Sequence, residues 1–219
     1  MSQDGGDHSG MSAVGSEVRR DGGPGLLSRK PIHQGRIVDL SVDTVRFPDG
    51  STGELEMIRH AGASAVLPVL GDPAEGDPEV LLIRQYRYAT GGELFEVPAG
   101  MPASPGEPWV EVAARELEEE TGWKAGRLEP LTRIYTTPGF TDEVIHLFLA
   151  TDLRQGTRQH DEDEFLETEK VRFSTAVDWV RDGRIVDGKS ISTILYAACF
   201  VFGKSGKRAS EGPPGTVTR

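Results

Sequence analysis

Four carboxylates, Glu116, Glu118, Glu119 and Glu120, crowd into five consecutive residues at the end of the most strongly helical segment of the chain. Acids there oppose the partial negative charge of a helix C-terminus, and Glu116 and Glu120, four residues apart, repel one another. A chain selected for stability alone would not carry this arrangement. It calls for a compensating positive charge, and a divalent metal ion is the first candidate. The helix is predicted over residues 108–121. Pro108 suits the first turn, and Val110, Ala113, Ala114 and Leu117 form an apolar stripe at i, i+3, i+4 and i+7. Glu111 and Arg115 make an i,i+4 pair, and Gly122 ends the helix as its C-cap. On such a helix Glu116, Glu119 and Glu120 share one face, whereas Glu118 points about 200° away from Glu116. Carboxylate oxygens are the ligands that hard cations such as Mg²⁺, Mn²⁺ and Ca²⁺ prefer. A solvated acidic face is the plain alternative.

The chain has 219 residues and a net charge of −11. That length suits one domain of ordinary size with a full core. The acidic balance argues against non-specific nucleic-acid binding, but not against a small anionic substrate, because a bound metal reverses the local field. The single cysteine, Cys199, excludes an intramolecular disulfide and suits a reducing compartment. No apolar run approaches the roughly 18–20 residues of a membrane span, and the N-terminus lacks the apolar core of a signal peptide. A soluble cytoplasmic protein with neither membrane nor nucleic-acid partner is expected.

Residues 1–28, rich in Gly, Ser and Asp, are expected to be disordered, as are residues 203–219. Residues 29–60 read as a β-hairpin turning at PDGS, outside the main domain. Exposed strand edges need cover, so this region is expected to serve dimerisation. Residues 61–202 form the main domain. Short apolar β runs at 63–70, 80–84, 93–97, 128–135 and 143–150 surround helices at 108–121, 174–182 (with Ser174 as N-cap) and 190–202, which is an α/β or α+β pattern. In the last helix Ile191, Ile194, Leu195, Ala198, Cys199 and Phe202 form the buried stripe. Residues 183–190, GRIVDGKS, match the P-loop spacing literally. A helix precedes them instead of an apolar strand, and a bulky Ile-Val pair fills the turn, so a loop between two helices is the better reading.

Gly100, Glu107 and the run from Arg115 to Trp123 (RELEEETGW) resemble the Nudix box, G-x5-E-x7-R-E-U-x-E-E-x-G-U with U apolar. From Glu107 onward every fixed position matches. Six residues instead of five separate Gly100 from Glu107, and the extra one falls in the MPASPG loop, which absorbs an insertion more easily than a helix. The resemblance implies an α/β/α sandwich with a mixed sheet, and metal-dependent hydrolysis of a nucleoside diphosphate linked to another group. It makes Glu116, Glu120 and the carbonyl of Ala99 metal ligands, with Glu119 a ligand or the support of one. Arg115 orients the glutamates, and Gly100 and Gly122 are structural.

Pro138, sixteen residues beyond Gly122, together with ELFEVPAGM and IRQYR, resembles the ADP-ribose pyrophosphatase branch of that family. There the base comes from a mobile acidic loop, so Glu162 is the first choice here and Glu164 the second. Arg87 is expected to hold phosphate oxygens. Glu96 and Glu143 would bind ribose hydroxyls or metal, with a structural ion pair as the alternative for each. Met101 would pack on the substrate, and Phe47, Tyr88 and Phe140 are candidates for the adenine slot. The expected reaction converts ADP-ribose and water to AMP and ribose 5-phosphate with Mg²⁺ or Mn²⁺, in a homodimer. Another nucleoside diphosphate sugar, such as ADP-glucose or GDP-mannose, is the nearest alternative, and a non-catalytic nucleotide-sugar sensor the more distant one.

Overall fold

The computed structural model describes residues 23–72, 76–157 and 166–203, in two units that divide between Arg59 and His60. In the first unit β1 (Gly25–Gln34), β2 (Val38–Arg46) and β3 (Thr52–His60) form a sheet in the order β1-β2-β3. The expected hairpin therefore gains a third strand, and β1 starts inside the segment expected to be disordered. Two interactions that composition does not reveal order it. Leu26 is buried, and Arg29 reaches the buried Asp43, which also accepts hydrogen bonds from Ser41 and Arg59. Residues 1–22 and 204–219 of the two predicted tails lie outside the described residues.

The second unit contains β4 (Ala63–Leu70), β5 (Glu79–Arg87), β6 (Gly92–Glu96), β7 (Ala99–Gly100), α1 (Trp109–Thr121), β8 (Trp123–Lys124), β9 (Arg127–Tyr135), β10 (Val144–Thr151), β11 (Arg154–Gln155), β12 (Leu166–Arg172), α2 (Phe173–Arg181) and α3 (Gly188–Ala197). The main sheet runs β12-β5-β4-β10-β9, with β6 on β5 and β7 on β4. β4 and β10 are parallel and the other pairs antiparallel. β4, ASAVLPVL, is buried almost throughout, as a strand covered on both faces must be.

The period of two divides its side chains. Ala63, Ala65, Leu67 and Val69 join Ile145, Leu147 and Leu149 against Ala176, Ile194 and Ala197 of the two later helices. Val66, with Phe148 and Ala150, packs on Ala113 and Leu117 of α1. Helices cover both faces of a mixed sheet, which is the α/β/α sandwich.

Three local expectations need correction. The buried side of α1 is Val112, Ala113, Leu117, Glu120 and Thr121, and Val110 is 43% exposed. Ala113 and Leu117 of the expected stripe are in the core, Val110 is not, and a glutamate, Glu120, joins the packed side. Ser174 does not cap α2, which starts one residue earlier. Asp77, from the loop before β5, supplies the cap across the fold, its carboxylate accepting from Ser174 N at 2.8 Å and Ser174 Oγ at 2.7 Å. Asp77→Ala is expected to cost about 1 kcal/mol, the usual value of a lost helix cap, read from the urea midpoint; an unchanged midpoint would remove the role. Finally, Leu195 and Cys199 are exposed. The buried side of α3 is Ser190, Thr193, Ile194 and Ala197, and a π turn at Ala198–Phe202 follows. Thr193 bonds the carbonyl of Lys189 and Ser190 bonds Asp187, so these hydroxyls are buried without cost to their hydrogen bonding, and the wider π turn advances the face that meets the core.

Candidate active site

The site grows from the packing of α1 against β7. Gly122, at φ 76°, closes the helix by donating to the carbonyl of Glu118 at 2.8 Å. One turn of carboxylates then meets a strand of two residues. Glu120 is 2% exposed, and its Oε2 accepts from the amide of Ala99 at 3.1 Å. Glu116 lies directly over Gly100, where a Cβ would sit 2.1 Å from the Glu116 carboxyl carbon. Only glycine permits that approach.

Arg115 gathers the acids around it. Its Nη1 donates to Glu116 at 2.7 Å and to Glu119 at 3.1 Å, its Nε to Glu107 at 3.2 Å, and its Nη2 to the carbonyl of Met101 at 2.8 Å. These partners take the place of the expected pair with Glu111. Partial burial pulls the Arg115 guanidinium pKa down, but Glu107, Glu116 and Glu119 push it well above its ordinary value. Glu107 also accepts from the amide of Ala103 at 2.6 Å and donates its own amide to Ser104. The extra residue before Glu107 is therefore taken up inside the 101–107 loop, and the carboxylate still reaches Arg115.

Glu118 points away from this group, as its helical position requires. It accepts from the amide of Thr157 at 3.2 Å and pairs with Lys124 at 3.1 Å. Glu162 and Glu164, the expected bases, lie outside the described residues.

A second charged group stands at the end of β5 and β6. Glu96 is 1% exposed and receives Arg87 through both oxygens, Nε and Nη2 each at 2.8 Å. Lys189 also donates to it. Two residues expected to touch substrate independently are thus partners of one another, and Glu96 takes the ion-pair alternative. Arg87 stays 40% exposed and feels the charge of Glu120, which connects this group to the helix acids. Burial pushes the Glu96 carboxyl pKa up, but Arg87 and Lys189 outweigh it and hold the value below the ordinary range.

Because the folded-state value is depressed, the resulting stability is present above the unfolded pKa of about 4.3 and is lost as pH falls through the folded value. Thermal melting from pH 6 downward should therefore show wild type losing stability below about pH 4.3 more steeply than Glu96→Gln. Parallel curves would contradict the assignment.

Glu143 accepts from Thr136 Oγ1 at 2.8 Å and lies 3.4 Å from His60 Nδ1. Met101 is half-buried beside the Arg115 fork. Tyr88 is 90% exposed and Phe140 about half exposed, so neither lines an enclosed slot; Phe47 belongs to the first unit. Sequence reasoning missed Lys189 and Ser190. Their signal was the G-K-S of residues 188–190, whose mismatch with a phosphate loop set it aside.

Among the described residues, no three His, Cys, Asp or Glu side chains group closely enough to enclose a metal. The donor chemistry nonetheless fits a hard divalent cation. Glu116 and Glu120 meet the same strand, Glu120 at the Ala99 amide and Glu116 over Gly100, and their donor atoms are carboxylate oxygens.

Comparison with known proteins gives concordant results. The model of the NUDIX domain matches residues 59–191. A protein of Bacillus subtilis named ADP-ribose pyrophosphatase is 37% identical over 172 residues, covering 78% of this chain and 90% of that protein. A Bacillus methanolicus protein named methanol dehydrogenase activator is 35% identical over 172 residues, with the same coverage of 78% and 90%. A solved structure described as ADP compounds hydrolase superposes with a TM-score of 0.70 at 23% identity, covering 84% of this chain and 96% of that one, a shared fold.

Proposed function

The chain belongs to the NUDIX family and is a hydrolase of it, and from this premise we propose that it cleaves the pyrophosphate of ADP-ribose to give AMP and ribose 5-phosphate. The observation that carries the reading is the meeting of Glu116 and Glu120 with the Ala99–Gly100 strand under the Arg115 fork. Hydrolases of this family generally need a divalent metal. Mg²⁺ is the proposed ion and Mn²⁺ its substitute, held by Glu116, Glu120 and the Ala99 carbonyl with Glu119 beside them. When bound, such a cation screens the pyrophosphate charge and acidifies water.

The protein's own groups do the rest. Arg115 keeps Glu116 and Glu119 from swinging apart, and Arg87 binds phosphate oxygens through the edge that Glu96 does not cover. Met101 packs on the substrate, and Glu143 takes a ribose hydroxyl. Glu162, with Glu164 as second choice, removes the proton from the attacking water. The first unit mediates a homodimer, and the reaction takes place in the cytoplasm.

The relative named as a dehydrogenase activator is nearly as similar as the one named as a pyrophosphatase. The substrate is therefore assigned by a panel of ADP-ribose, ADP-glucose and GDP-mannose, each with Mg²⁺, with Mn²⁺ and after chelation. ADP-ribose should be cleaved fastest and only with metal. Faster cleavage of GDP-mannose would replace the substrate, and absence of turnover across the panel would sink the catalytic reading.

A further inference from the structure

The P-loop look-alike turns out to sit against the site. Asp187 caps α3 by accepting from Ser190 N at 2.9 Å. Ser190 Oγ, fully buried, donates to Asp187 and accepts from the amide of Val97 at 2.8 Å. Lys189, only 11% exposed, lies between Glu96 and Asp187, 3.1 Å from the latter. The start of α3 is thus fastened to the end of β6 through both Lys189 and Ser190, one residue apart.

Glu96 is the hinge of this arrangement. Arg87 grips it with Nε and Nη2, and among the described residues no partner holds Nη1. A guanidinium anchored on one edge, on a side chain that stays 40% exposed, can present its other edge as a planar fork to an oxyanion. The direction of that fork is set by the plane of the Glu96 carboxylate. A buried carboxylate gripped by Arg87 alone can still rotate with it. The Lys189 ammonium, itself held by Asp187, sits on Oε2, the oxygen that also receives Arg87 Nη2, and restrains that rotation.

We propose that Lys189 is a positioning residue for substrate binding: it locks Glu96 so that the free edge of Arg87 faces the phosphates of the nucleoside diphosphate sugar. This rests on the reading that Arg87 binds phosphate. Lys189 makes no contact with substrate and acts only through Glu96 and Arg87.

The test is a double-mutant cycle on full-length protein, using whichever panel substrate the wild type turns over best, since all share the pyrophosphate. If it turns over none, equilibrium binding of ADP-ribose by calorimetry supplies the same comparison. Arg87→Ala should raise KM about tenfold, the size of one charge-assisted hydrogen bond, with kcat within about twofold. Lys189→Met should raise KM by a similar factor, and Lys189→Arg should recover most of it. The double variant should be no worse than Arg87→Ala alone, because the two residues act in series.

Multiplying effects in the double variant would overturn the inference. So would an unchanged KM in Lys189→Met accompanied by a lower melting temperature, which is the signature of a purely structural lysine. If Arg87→Ala leaves KM unchanged, the phosphate reading of Arg87 fails first and takes the inference with it. Should Lys189→Met fail to melt cooperatively, the Glu96→Gln/Lys189→Met double variant replaces it. There Arg87 loses its charged anchor without a buried carboxylate being left short of its counter-charge, and the expected KM is that of Arg87→Ala; a wild-type KM would refute the proposal.

Discussion

Glu120→Gln is expected to lower kcat by about 10²–10³-fold, the loss typical when one preorganised electrostatic group is removed from a site, while the protein stays folded. The separation of the two effects follows from the geometry. The Glu120 side chain is buried and accepts a hydrogen bond from the amide of Ala99. The amide oxygen of glutamine can accept the same bond in nearly the same volume. What the substitution removes is a negative charge and one of the two carboxylate oxygens. Steady-state turnover with saturating Mg²⁺, paired with a thermal melt, reads both. A variant that melts like wild type and turns over within threefold of it would detach Glu120 from catalysis. Glu118→Gln, whose target contacts Thr157 and Lys124 on the other side of the helix, should keep near-wild-type kcat in the same assay.

Gly100→Ala is the second large effect, and here fold and activity should fail together. The added methyl would lie 2.1 Å from the carboxyl carbon of Glu116 and 2.1 Å from one of its oxygens. Glu116 is held by Arg115, which in turn holds Glu107, Glu119 and the Met101 carbonyl, so it cannot retreat without disturbing the whole fork. Overpacking of this kind costs about 1–3 kcal/mol, and the displaced carboxylate should remove most of the turnover. Gly139→Ala is the control, because a Cβ there meets nothing within 4 Å. Activity within twofold of wild type for Gly100→Ala would mean that Glu116 can leave the strand without harm, and it would then not be a ligand.

The sequence made the acidic helix legible because a 3.6-residue period and a left-handed glycine cap act locally. It made β4 and β10 legible because strands buried on both faces must be apolar along their length. It failed where a residue's partner is remote. Val110 reads as buried and is exposed, and the burial of Glu120 has no local signal, since nothing nearby in sequence announces that a backbone amide 21 residues away, at Ala99, donates to its carboxylate. Asp77 caps a helix that starts almost a hundred residues later. Lys189 and Ser190 were read as loop because their meaning lies in Glu96 and Val97 on another element. The order in residues 25–28 depends on Leu26 and on an ion pair across the sheet, which composition averages away.

Arg115 also changes what the acidic cluster demands of its surroundings. Three carboxylates share one permanently charged fork at 2.7 to 3.2 Å, so the helix end carries its own counter-charge. Sites whose ligands repel one another until metal arrives tie folding to metal supply. Here Arg115 already offsets part of that repulsion, so the packed helix end is expected to form without a bound ion, and melting curves taken with and without a chelator should nearly coincide.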